Sequence, residues 1–310
     1  MNGILIIDKP EGFTSHDVVA RLRRILKTKK IGHTGTLDPF ATGVLVMLVG
    51  KATRLAQFLD RDVKSYEADV RFGFETDTGD RTGARRDTPD AIRGPQSELR
   101  ITYNELQGVL PEFTGEIEQI PPMYSAKKVD GKKLYELARK GVEIKREAVK
   151  VTISELELLP EISPKEDEEL KTQDFRIKVT CTAGTYIRTL AEDIGRKLGT
   201  GCHLAELRRI KAGRFEISQA VSIEELEDIV SEDRLSEILV SMNDAISHLP
   251  GKNLDEDELK KIQNGIRVAG TFEDDTASIV RLTNSGDELV AIGEYDHSVK
   301  MIHPKIVFNN

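Results

Sequence analysis

The chain is 310 residues long, 38% hydrophobic and 32% charged, with a formal net charge of −8. This composition describes a globular protein able to bury a sizeable core, in one large domain or in one large and one small. It excludes a helical membrane span, because no apolar run approaches ~18 residues, and the negative total argues against a protein that coats nucleic acid indiscriminately.

In chain order, MNGILIIDKP has no basic leader or cleavage site and reads as a strand over residues 3–7, ended by Asp8-Lys9-Pro10-Glu11-Gly12. Ser15 is the expected N-cap of a helix with Val18, Val19, Leu22, Ile25 and Leu26 at helical spacing. Residues 31–45, IGHTGTLDPFATGVL, follow as a stretch too rich in Gly, Thr and Pro for helix or strand. It holds one acid, Asp38, at a turn set by Pro39. The apolar run 44–49 behind it suits a buried strand that braces the loop. Such a loop is either an ordinary turn or a mount for a reactive carboxylate, and other parts of the chain must decide.

Residues 64–74 alternate, with Tyr66, Ala68, Val70, Phe72 and Phe74 on one face and Ser65, Glu67, Asp69 and Arg71 on the other, as in a half-buried strand. A polar excursion is expected at 75–100 and a short helix at 103–113. Residues 123–141, with two tyrosines and a Gly-centred turn, read as an inserted basic arm. Strands are predicted at 150–159 and 174–182, and a helix over 185–198 stopped by Gly199. Past Pro250-Gly251, a helix at 256–264 and strands at 278–282, 288–293 and 305–308 describe a small, mostly β unit. Cys181 and Cys202 form no CxxC pair and lack ligand-spaced histidines, so a reducing cytoplasm and no structural zinc are expected.

Charge is unevenly placed. Residues 123–150 carry nine Lys/Arg against four Asp/Glu, and residues 8–30 and 188–214 each carry seven against three. The balancing acid lies at 166–169 and across 224–258. These basic segments are either solvated helix faces or parts of a focused polyanion site on an acidic body. In CTAGTYIRTLAEDIG, 181–195, Arg188 follows a Gly184 turn at the mouth of a helix. It is either a surface arginine or a two-pronged partner for Asp38 that would keep the carboxylate ionised, lowering its pKa by ~1–3 units.

The motifs GILIIDKPEGFTSHDVV (3–19), GHTGTLDPFATGVL (32–45), KATR (51–54), KSYEADVRFG (64–73), PPMYSAKKVDGKKLYELAR (121–139), CTAGTYIRTLAEDIG (181–195) and LRRIKAGRF (207–215) span the chain almost end to end. Together they resemble the bacterial pseudouridine synthases of the TruB family. The resemblance implies an α+β fold: a large mixed or antiparallel sheet with flanking helices over 1–235, an RNA-binding arm at about 123–146, and a PUA-like module at 250–310. It implies isomerisation of uridine at position 55 in the T arm of tRNA, with no cofactor and no metal. The family's nucleophilic aspartate corresponds to Asp38, attacking either C6 of the base or C1′ of the ribose. Arg188 would hold it, and Tyr66 would pack on the base and help remove the C5 proton. Tyr186 would stack and Leu207 would close the pocket. His33 would fill the space left by the flipped base, and Lys127, Lys128, Lys132 and Lys133 would contact phosphates. The module would touch the acceptor stem or else cap the core. A monomer needing no protein partner and no membrane is expected.

Two other readings share some of these residues. A guide-RNA-dependent relative would carry the same aspartate motif and tail, and a non-catalytic RNA-binding or RNA-folding protein would need neither Asp38 nor Arg188. A phosphate loop at GHTGTLD fails, because GxxxxGK[ST] is absent.

Overall fold

The apolar runs at residues 4–7 and 44–49 pair antiparallel as β1 (Gly3–Lys9) and β3 (Thr42–Val49), from Gly3↔Val49 to Lys9↔Gly43, in a computed structural model. It describes residues 1–60, 63–86, 101–125, 127–129, 131–138, 140–142, 144–160, 165–167, 172–272 and 278–308. The runs are apolar on both faces because both faces are covered. Ile4, Ile6, Val44, Val46 and Leu48 join one core cluster, while Leu5, Ile7, Leu45 and Met47 join another with helix α1 (Ser15–Ile25).

The helix starts one residue earlier than expected. Thr14 is the N-cap, accepting from the Asp17 N–H in a reciprocal capping box. Ser15 is freed for another task described below. The stretch 31–45 is also more regular than expected: β2 (Ile31–Thr34) pairs with β3 from Ile31↔Val49 to Thr34↔Val46, leaving 35–41 as the loop.

After the short helix α2 (Ala56–Leu59), β4 (Lys64–Phe72) occupies the middle of the sheet. Its apolar face is in the core as expected. Its polar face is not simply open to water. Arg176 grips Asp69 and Arg71 grips Asp174, each through two hydrogen bonds of 2.6–2.9 Å to the adjacent strand. Directly opposite, oppositely charged side chains are favourable cross-strand pairs, and they cover that face. The expected half-buried strand is therefore buried on both sides.

A hairpin of β5 (Glu75–Thr76) and β6 (Arg85–Arg86) follows. The rest of the expected excursion, 87–100, lies outside the described residues, as do Glu168 and Glu169 of the acidic run. The helical signal at 103–113 resolves into α3 (Tyr103–Val109) and a 3₁₀ turn at Leu110–Phe113. β7 (Gly115–Gln119) forms one edge of the sheet. The basic arm contains the hairpin β8 (Lys128–Val129) and β9 (Lys132–Lys133), followed by helix α4 (Leu134–Ala138).

β10 (Val149–Leu158) and β12 (Thr172–Cys181) come close to their expected bounds, with β11 (Lys165–Asp167) pairing β12. Helix α5 (Ile187–Lys197) is capped by Tyr186 and followed by Gly199 at φ +68°. β13 (Cys202–Ala212), which had no strand signal of its own, completes the sheet, with the short β14 (Phe215–Glu216) paired to its end. Its order is β1-β3-β13-β4-β12-β10-β7, with β3 and β13 parallel and the other neighbours antiparallel. β13 packs so close to β3 that a Cβ on Gly43 would sit 2.2 Å from the Arg209 carbonyl oxygen, and Gly43 has φ +98°.

A second sheet runs β15 (Gly251–Asn253), β17 (Ile279–Thr283), β18 (Leu289–Asp296), β19 (Met301–Val307) and β16 (Val268–Ala269). Leu289, Ile292, Ile306 and Phe308 belong to the same core cluster as Ile4, Ile6 and Val44 of the large sheet. Arg54 ties the two further, donating to the Val307 carbonyl at 2.6 Å and lying over the Phe308 ring. No helix among the described residues is long and apolar enough to cross a membrane.

Candidate active site

The edge of β3 forks. Residues 46–49 pair with β2 and residues 42–43 with β13, so the loop 35–41 leaves between two diverging strands. A loop in such a gap must find its partners outside any ladder. The Leu37 N–H donates to Ser15 Oγ at 3.0 Å, and Ser15 Oγ returns a bond to the Leu37 carbonyl. Pro39 O accepts from the Gly12 N–H at 2.8 Å and from Lys9 Nζ at 3.2 Å. Asp60 Oδ1 accepts from the Gly35 N–H, and Arg209 Nη2 donates to the Gly35 carbonyl. Both ends and the middle of the loop are thus anchored. Replacing Ser15 by Ala leaves a buried N–H without its partner and is expected to cost about 1–3 kcal/mol. A urea titration checks it, and an unchanged midpoint would remove Ser15 as an anchor.

The loop forms one wall of a cavity of about 630 Å³. Asp38 lies at this wall with Oδ2 3.0 Å from Arg188 Nε, and its side chain keeps 37% of its surface open. Arg188 is buried, which removes the surface-arginine reading. The pairing is not two-pronged, however. Nη1 donates to the Thr78 carbonyl at 2.8 Å and Nη2 to the Tyr124 carbonyl at 2.7 Å, leaving Nε for Asp38. Asp80 stands 3.7 Å from Nη1. The guanidinium is fixed by backbone on two sides, and its direction toward Asp38 follows.

Arg188 acts downward on Asp38 as expected, but the net shift is upward. Burial pushes its carboxyl above the usual carboxylate value; Arg188 and Lys9 oppose the rise and Asp80 adds to it. Desolvation outweighs the ion pair. Lys9, wholly buried and bonded to the carbonyls of Pro10, Phe13 and Pro39, is lowered by the same cause to about 8.

Tyr66, Tyr186, Leu207 and His33 all line the cavity with Asp38 and Arg188. Tyr66 is buried on β4, and burial holds its phenol above the ordinary tyrosine value, with Arg209 acting downward. Tyr186 is set by its backbone, whose N–H and C=O bond the Gln119 amide at 3.0 and 3.3 Å. His33 stands on β2, edge-on to His16, its imidazole shifted down by burial and so neutral at pH 7. Of the arm, Ser125 reaches the cavity wall and Lys127 does not line it. Lys128 lies opposite Lys133 in the hairpin register, and Val129 opposite Lys132.

Residues that sequence reasoning missed are the supports: Lys9, Ser15, Asp60, Asp80 and Arg209. Lys9 stands in the IIDKPEG punctuation and Arg209 in a basic run, and neither has a periodic signal that marks it as buried. The arrangement can bind a planar ring between aromatic walls and present one carboxylate to it, held by a fixed cation. A loop pinned at both ends keeps that carboxylate in place without support from the ligand.

The sequence profile of the TruB family pseudouridylate synthase N-terminal domain matches residues 23–187, and that of the tRNA pseudouridylate synthase B C-terminal domain matches residues 188–247. The chain is 43% identical over 314 residues to tRNA pseudouridine synthase B of Bacillus cereus, covering 100% of this chain and 98% of that protein. It is 44% identical over 310 residues to tRNA pseudouridine synthase B of Solibacter usitatus, covering 99% and 100%. A solved structure of an H/ACA RNP bound to a substrate RNA containing 2′-deoxyuridine superposes at a TM-score of 0.70 and 26% identity, over 99% of this chain and 85% of that one. With a profile match over more than half its length and relatives this similar end to end, the chain belongs to the TruB family of pseudouridylate synthases.

Proposed function

We propose that this chain isomerises uridine to pseudouridine at position 55 in the T arm of tRNA, with Asp38 as nucleophile and no cofactor or metal. The observation that carries the reading is the Asp38–Arg188 pair at the wall of a cavity that also presents Tyr66 and Tyr186. The reaction breaks the N1–C1′ bond, turns the uracil and joins C5 to C1′; C5 loses its proton and N1 gains one, so nothing is oxidised. Covalent attack by the carboxylate, at C6 or at C1′, divides one difficult step into two. Arg188 holds the attacking oxygen, and Leu207 closes the apolar side.

The target base is turned out of its loop at a cost of a few kcal/mol, and stacking on Tyr66 and Tyr186 returns about 1–3 kcal/mol. His33, neutral and lining the cavity, fills the vacated space. Residues 1–235 act as the catalytic domain, and 250–310 as a PUA-like module on the acceptor stem. The enzyme works as a cytoplasmic monomer without a protein partner.

The test is tritium release from C5-labelled uridine in an unmodified tRNA transcript, with no guide RNA or second protein added. Release of one label per tRNA is expected; no release with tight binding retained would point to a guide-dependent enzyme or a binding protein. The arm gives a separate expectation. Neutralising Lys127, Lys128, Lys132 and Lys133 together is expected to raise KM and flatten its dependence on salt, because each phosphate no longer neutralised by a lysine takes about one unit off the log–log salt slope. An unchanged slope would take the arm off the RNA.

A further inference from the structure

Tyr66 and Arg209 stand directly opposite each other on β4 and β13, so their side chains leave the sheet on the same face, and both line the cavity. Arg209 is one of the largest wholly buried side chains of the protein. Its Nε donates to the Val44 carbonyl at 2.7 Å and its Nη2 to the Gly35 carbonyl at 2.8 Å, which fixes it in the fork between β2 and β13. A Cβ on Gly35 would approach Nη1 to 3.2 Å, so the loop closes tightly over the guanidinium. Among the described residues, no carboxylate lies within ion-pair distance of it. A buried cation without a carboxylate is costly unless it serves a neighbouring charge. Its charge acts on the Tyr66 phenol, which stands opposite it on β4, as well as on Lys9 and His33.

We infer that Arg209 is a positioning residue that stabilises the Tyr66 phenolate while Tyr66 takes the C5 proton of the turned uracil. The inference rests on the reading of Tyr66 as the base. In the step, Tyr66 as phenolate receives the proton, the C5–H electron pair returns to the ring to restore C5=C6, and the phenol later releases the proton to solvent. Burial alone works against this step, since it favours the neutral phenol; the guanidinium supplies the opposing charge. The other titratable groups around the phenol are Asp38, Asp60, Cys181, Lys64, His33, Tyr186 and Arg188. The Cys181 thiol is pushed up to about 11 and the His33 imidazole is held neutral, so the one brings no negative charge and the other no positive charge near pH 8. Arg188 is committed to Asp38, and Lys64 Nζ donates to the Asp60 carbonyl at 3.0 Å. Lys9, under the Asp38 loop, is lowered to about 8 chiefly by burial and in smaller part by Arg209, so Arg209→Gln lets it rise, whereas Arg209→Lys and Tyr66→Phe leave that contribution in place.

The experiment is single-turnover tritium release from unmodified tRNA between about pH 6 and about pH 9.5, for wild type, Arg209→Gln, Arg209→Lys and Tyr66→Phe, with melting temperature and tRNA Kd alongside. Arg209→Gln is expected to be at least ~tenfold slower near pH 7.5 and to recover as pH rises, its rising limb moved up by ~1 unit or more, with Kd unchanged. Arg209→Lys, which keeps the charge, is expected to shift less. A loss equal at every pH, or failure of both Arg209 variants to fold, would make Arg209 structural and overturn the inference. Release by Tyr66→Phe at the wild-type rate would overturn the role of Tyr66 and this inference with it. A stalled Tyr66→Phe beside an unshifted Arg209→Gln would overturn the Arg209 role alone.

Discussion

Replacing Asp38 by Asn is expected to lower isomerisation by at least ~10⁴-fold while tRNA binding survives. The substitution keeps the shape of the group at the cavity wall and removes the negative charge with which it is proposed to attack. The loop that carries it is anchored through Ser15, Lys9, Gly12, Asp60 and Arg209, none of which bonds the carboxylate itself. The loop therefore keeps its place. The Asp38 carboxyl is raised by the fold, so folding favours its neutral form, and stability from this group is lost as pH rises through the folded pKa. Asn mimics that neutral form, and the melting temperature near pH 7 is expected to stay within a few degrees of wild type. Tritium release, a filter-binding Kd and a thermal melt check the three parts together. Retained isomerisation would end the assignment of Asp38 as nucleophile, and loss of binding with a lowered melt would indicate misfolding.

Arg188→Gln is the second large effect, expected to lower kcat by ~10²–10³-fold with KM changed far less. Gln retains a donor for the Thr78 or Tyr124 carbonyl but leaves Asp38 and Asp80 without the cation between them. The downward pull on the Asp38 carboxyl disappears while burial and Asp80 still push it up. The direction follows: the proposed nucleophile is lost by protonation at a higher pH than in wild type, so the acidic limb of the kcat profile moves up. A pH profile of single-turnover release checks this, and a limb that stays in place would mean that Arg188 does not set the charge state of Asp38.

Local pattern carried much of the fold. The strands at 44–49 and 64–74, the helix after Gly184 and its stop at Gly199 are visible because short-range periodicity and turn residues act over a few positions. β13 was not visible: CHLAELRRIKA alternates poorly, and it becomes a strand because β4 and β3 offer it edges on both sides. The polar face of β4 read as solvent-facing, since an Asp–Arg pair across two strands leaves no mark in either strand alone. At the site, Asp38 stood out as the one acid in a Gly-rich loop, and Tyr66, Tyr186, Arg188, Leu207 and His33 all reach the same cavity.

By itself the sequence determined the apolar strands, the turn at Asp38-Pro39 and, through long motifs, the family. The tertiary structure decided the rest of the site. Arg188 spends two of its nitrogens on backbone carbonyls, Asp38 is shifted up and not down, and Ser15 is an anchor and not a cap. Arg209 meets Gly35 across 174 positions of chain. The physical reason is one of range. Propensity and periodicity act between neighbours in the chain, whereas desolvation and hydrogen-bond partners are set by groups that meet only when the sheet has closed.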